Sequence, residues 1–175
     1  MIRVLFLAGM ALLLHGMQAA LAVSFGVSSL PVLPAVVLVA YAALVEPPVV
    51  AALAASTIGL LLDALSGSPL GLNMLACLLA LLLGRSAAEW IHAPRGTPAF
   101  LFTAAMAAGY HVFVVTLPWA FGPHPDEWVI SGFMSTAWWN GVASLFIFPL
   151  AQRVLVRMGL EEREETLSER LARRR

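Results

Sequence analysis

Asp63 is the residue of this 175-residue chain whose type and setting most need a chemical explanation. It closes the run Gly59-Leu60-Leu61-Leu62-Asp63 near the end of an apolar segment, where an ionised carboxylate needs water, hydrogen-bond donors or a cation. Three uses fit. The carboxylate can reach interfacial water or accept backbone N–H groups from the start of the next helix, steadying the tight turn at 66–71. A partner protein can supply the cation. It can also belong to a proton relay or ion site, although no chain of titratable groups assembles around it.

His15, Gln18, Asn73, Tyr110, His111 and Thr116 are expected in the same half of the molecule. Together with Asp63 they would form a buried polar layer able to bind a small molecule inside a bundle. Taken singly, each would bridge neighbouring helices. Other chemistry is thin. His92 and His124 fall in loops, no two histidines have metal-ligand spacing, and Cys77 stands alone in an apolar run. There is no nucleophile–base arrangement, phosphate loop or HExxH-type helix. No catalytic residue, metal or cofactor is therefore expected.

The composition says what must hold these residues. With 61% hydrophobic and 11% charged residues, the chain lacks the polar coat of a water-soluble domain, and it is too apolar for disorder. A net charge of zero gives no argument for nucleic-acid binding. A membrane crossing needs about 20 apolar residues, and six stretches approach that: 2–23, 30–45, 49–65, 70–90, 98–119 and 128–150. The expectation is an all-α polytopic protein, with a six-helix transmembrane domain at 1–151 and a charged cytoplasmic tail at 152–175. Glu46-Pro47-Pro48 separates the second and third segments, because a charge followed by two prolines breaks a helix.

Arginine placement sets the orientation. Arg3, Arg85, Arg95 and the seven arginines after residue 150 all fall on one side of this topology, and the loops of opposite parity hold none. Both termini are expected in the cytoplasm. Outer loops of about six residues are too short to build a periplasmic domain. Glu46 is expected to be solvated at the inner face, with an ion pair to Arg85 or Arg95 as the alternative. The first segment resembles a signal peptide through Arg3 and Ala20-Leu21-Ala22, yet His15 and Gln18 share a helical face suited to packing, so it is read as retained. Ser68-Pro69 reads as N-cap and N1 of the fourth helix.

Small residues at a four-residue repeat mark two faces for close helix packing: Ala51, Ala55, Gly59 and Asp63 on the third segment, and Gly132, Thr136, Asn140 and Ser144 on the sixth. Their partners can lie within the chain or on another protein. The tail carries Glu161, Glu162, Glu164 and Glu165 ahead of Arg170, Arg173, Arg174 and Arg175, with Leu160, Leu167 and Leu171 as a narrow apolar stripe. It can lie on anionic headgroups, dock on a cytoplasmic partner or stay solvated.

Leu30-Pro31-Val32-Leu33-Pro34 entering a helix through Tyr41, Gly59-Leu60-Leu61-Leu62-Asp63, and Ser66-Gly67-Ser68-Pro69-Leu70-Gly71-Leu72-Asn73 together resemble the rod shape-determining protein MreD family. The sixth segment, with Thr136, Asn140 and a closing Phe148-Pro149-Leu150, looks like that family's C-terminal region. The tail after Arg157 has no counterpart in the family pattern. The resemblance implies a non-enzymatic scaffold in the bacterial inner membrane that associates with the bitopic protein MreC. That pair would link the actin-like MreB to the glycosyltransferase RodA and its class B penicillin-binding transpeptidase. Gly59, Asp63, Pro69, Gly71 and Asn73 are the residues expected to bind the partner. The family is also similar in architecture to the S components of energy-coupling-factor transporters, which gives the alternative of a vitamin-binding subunit with His15, Asn73, Tyr110 and His111 as its pocket.

Overall fold

A computed structural model describes residues 1–26, 31–88, 96–121 and 130–159. Their regular elements are all helices: α1 (Ile2–Ser24), α2 (Pro34–Val45), α3 (Pro48–Ser66), α4 (Leu72–Ala88), α5 (Thr97–Phe121) and α6 (Ile130–Arg157). α1, α3, α5 and α6 are long and apolar enough to cross a membrane, whereas α2 and α4 are shorter. His92, Arg95, His124 and the part of the charged tail after residue 159 fall outside the described residues.

α2 departs furthest from a membrane span. Its 12 residues rise only about 18 Å, against a hydrocarbon core of about 30 Å. Proline sets both limits, with Pro34 at its first position and Pro47 and Pro48 directly after Glu46. The fold accommodates the short helix by enclosing it. Every residue from Pro34 to Ala43 is buried, and α2 packs against all five other helices. A helix that is apolar all round belongs inside, and α2 has no polar face to turn outward. Around it α1, α3, α4, α5 and α6 form an arc, each packed on the next.

Both ends of α2 are closed by side chains from distant helices. The Leu33 N–H donates to Asn140 Oδ1 at 2.8 Å, while Asn140 Nδ2 donates to the Thr136 carbonyl at 2.7 Å. At the other end Arg85 Nη1 donates to the Glu46 carbonyl at 2.8 Å. The Glu46 carboxylate is not solvated as the sequence suggested. It is buried, and its Oε2 accepts from Arg3 Nη1 at 2.9 Å. The Pro47-Pro48 turn draws it beneath α1, so Arg3 becomes its ionic partner and Arg85 is left to the backbone.

The small-residue faces are used within the chain. Ala51 and Ala55 are fully buried, and a methyl group on Gly59 would lie 2.7 Å from the Met74 nitrogen and 2.8 Å from the Asn73 carbonyl oxygen of α4. Ser144 is buried, with its hydroxyl donating to the Gly141 carbonyl at 2.7 Å. A methyl on Gly141 would come within 2.8 Å of the Phe100 ring on α5. Thr136 is half-buried, and the surroundings of Gly132 lie outside the described residues. α6 runs past the expected end at 150 to Arg157, and Gly159, at φ 68°, stops it by bonding the Val156 carbonyl at 3.0 Å.

Replacing Asn140 by Leu leaves the Leu33 N–H buried without an acceptor. Stability should fall by about 1–3 kcal/mol, read as a lower midpoint of thermal unfolding in detergent, while Ser144→Ala should cost less.

Candidate functional site

The turn between α3 and α4 gathers most of the polar residues singled out in the sequence. Gly71 is the residue from which α4 starts, since its carbonyl accepts the first helical bond, from the Leu75 N–H at 2.8 Å. With φ of +94°, Gly71 adopts a conformation that L side chains rarely take, and it has no side chain to cap the helix it begins. Asp63 supplies the missing acceptor from the end of α3. Its Oδ2 accepts from the Gly71 N–H at 2.8 Å and the Met74 N–H at 3.4 Å, and its Oδ1 from the Asn73 N–H at 2.8 Å and the Ser68 hydroxyl at 3.1 Å. The positive end of the α4 dipole and its unpaired amides thus balance the carboxylate, which is only 1% exposed.

This arrangement corrects the reading of Ser68-Pro69. Neither residue opens the helix, which starts at Leu72. Ser68 instead lies in the loop and donates to the cap. Spacing alone pointed to Ser68 because a capping residue is normally adjacent to its helix, and a cap reaching back eight residues leaves no local pattern. The signal available in sequence was an acid closing one helix followed by a glycine-containing turn.

Asn73 extends the network. Its Nδ2 donates to the Ser68 hydroxyl at 2.8 Å and to that of Ser66 at 3.4 Å, and its Oδ1 accepts from the Tyr110 hydroxyl of α5. A continuous path Asp63–Ser68–Asn73–Tyr110 therefore ties α3, the turn, α4 and α5 together. Gly59, one turn before Asp63, lets the two helices approach closely enough for these bonds to form.

The other members of the expected polar layer do not converge here. His15 lies in a small cleft between α1 and α3, His111 packs edge-on against Phe133 with ring centroids 6.1 Å apart, and the Thr116 hydroxyl bonds its own helix at Val112. A larger cleft of about 210 Å³ opens elsewhere, between α4 and α5, where Leu83, Phe102 and Met106 give it an apolar lining. Asp63, Asn73 and Tyr110 thus close on one another through Ser68, and His15, His111 and Thr116 stand apart from them. Of the five residues expected to meet a partner, Gly59, Asp63 and Asn73 are buried, Gly71 is half-buried, and Pro69 is exposed. Leu70, at the tip of the turn, is 84% exposed.

The profile of the family described as rod shape-determining protein MreD matches residues 1–158, which include all six helices. The chain belongs to the MreD family. No curated protein and no solved structure matches it, so the likeness to transporter S components has no matched fold behind it. MreD membership points to a role in rod-shape determination, and four helices long and apolar enough to cross a membrane support a membrane protein. In this MreD family member, the block 59–73 that carried the resemblance is also the block that forms the capped turn.

Asp63→Ala should speed amide hydrogen exchange at Gly71, Asn73 and Met74 and cost about 1–3 kcal/mol of stability. Asp63→Asn, which keeps acceptor oxygen but loses charge and one acceptor, should fall between it and the wild type. Exchange confined to other segments would show that these amides do not depend on Asp63.

Proposed function

We propose that this MreD family member is a non-enzymatic scaffold of the rod-shape complex, a multi-pass protein of the bacterial inner membrane with both termini in the cytoplasm. In this reading it binds MreC directly and, within the complex, helps couple MreB to RodA and its class B penicillin-binding transpeptidase during wall synthesis. Family membership supports the setting. Arginine placement supports the orientation, because Arg3 and Arg85 converge on Glu46 at the end of the bundle away from the Asp63 turn.

The observation that carries the scaffold reading is how the polar groups around Asp63 are spent. The carboxylate and the Asn73 amide are taken up by bonds within the chain, while the turn they brace presents Pro69 and Leu70 outward. A braced apolar tip suits docking, since little chain entropy remains to be lost on contact. Gly59, Asp63 and Asn73 then act by shaping the turn, and Pro69 with the edge of Gly71 touches the partner. Glu46, Arg3 and Arg85 hold the opposite end of the bundle.

Capture of MreC with the tagged protein from membranes tests this directly. Leu70→Asp should lower capture on the order of tenfold, or about 1.4 kcal/mol, at normal membrane levels, and Asp63→Ala and Gly59→Leu should also weaken it. Unchanged capture by all three variants would remove the turn from the interface. Depletion of the protein should round the cells; retained rod shape after complete loss, with no redundant copy, would remove the shape-determining role.

A further inference from the structure

α1 is held less deeply than its neighbours. It ends the arc, packs on α3 and α2, and buries only Leu7, Ala8, Ala11 and Ala22 of its 23 residues. Halfway along, it meets α3 across a small cleft lined by Leu12, His15, Ile58, Leu61 and Leu62. There the Nδ1 atom of His15 is shut off from water without a hydrogen-bond partner, a penalty incurred whenever α1 is docked. The inner end carries the opposite kind of contact. Arg3 Nη1 lies 2.9 Å from Glu46 Oε2, with the glutamate side chain wholly buried and the arginine 31% exposed. Glu46 is fixed in place, since its carbonyl holds Arg85 and the Pro47-Pro48 turn follows it.

We propose that the Arg3–Glu46 pair is a latch and that α1 is a strap, which leaves the Ile58–Leu62 face of α3 when the latch opens. The pair joins a helix with little buried surface to an anchor that cannot follow it. Removing the arginine leaves a carboxylate enclosed, with its Oε1 already lacking a hydrogen-bond partner among the described residues, so the charge favours α1 in place. The poor middle contact at His15 and the strong end contact at Arg3 together make docking depend on the end.

Disulfide trapping in native membranes tests the latch in the full-length chain carrying Cys77→Ala. A Leu12→Cys/Leu61→Cys pair reports the α1–α3 contact, and a Phe100→Cys/Trp138→Cys pair, replacing two rings of α5 and α6 whose centroids lie 5.2 Å apart, reports the rest of the bundle. Glu46→Gln retains all ten arginines and so leaves the topology signals intact. It should slow cross-linking of the first pair at least fivefold and leave the second unchanged. Arg3→Gln should act likewise, and Arg3→Lys should stay within twofold of the wild type. If neither pair responds in either Gln variant, the latch does not exist. If both pairs slow together, the whole bundle has loosened and the strap reading is overturned as well.

Discussion

A backbone N–H or C=O inside a membrane has no water to turn to, and the need to satisfy such groups at the ends of two short helices organises this fold. α2 and α4 begin and end where a long helix would continue, so their terminal groups lie within or near the bundle. Three of these four ends are met by a side chain from another helix: Asn140 for the start of α2, Arg85 for its end, Asp63 for the start of α4. The polar residues of the chain are few, and these three are committed to closing helices. That commitment explains how a protein so poor in charge keeps a buried aspartate, while the buried glutamate is held by its ion pair with Arg3.

Much of this was legible in the sequence, because hydrophobic runs, proline breaks and one-sided arginines are local or additive signals. The six helices and the break at Glu46-Pro47-Pro48 could be read from them, and a bond from Asp63 to the start of the fourth helix was one of three uses the sequence left open for that residue. What was hidden depends on distance along the chain. Nothing near Leu33 announces Asn140, and nothing near Glu46 announces Arg3; these pairs exist only once the arc has wrapped around α2. The central position of α2 was equally silent, since a short apolar run between prolines reads the same whether it is thin in lipid or enclosed by protein. The polar layer failed as a site for a related reason. Membership of the same half of the bundle does not decide which way a side chain points, and His15 and His111 lie on other faces.

Close approach and hydrogen bonding are one feature here. Gly59 admits the α4 backbone, and only at that separation do the amides of Gly71 and Asn73 come within 2.8 Å of the Asp63 oxygens. Gly141 admits the ring of Phe100 in the same manner, one residue after Asn140 reaches back to α2. In lipid, where burial of apolar surface adds little, contacts of this kind are what helices have to gain from one another.

The three caps differ greatly in the length of chain they close, and this has a bearing on the order of assembly. Asp63 and the α4 amides are eight to eleven residues apart, so the α3–α4 hairpin can form its cap as soon as both helices are present. Leu33 and Asn140 are 107 residues apart. During synthesis the start of the central helix therefore waits, with its amide unanswered, until the last helix enters the membrane. The sixth helix thus completes the interior, and a chain arrested before it would hold a finished hairpin beside an unsealed core.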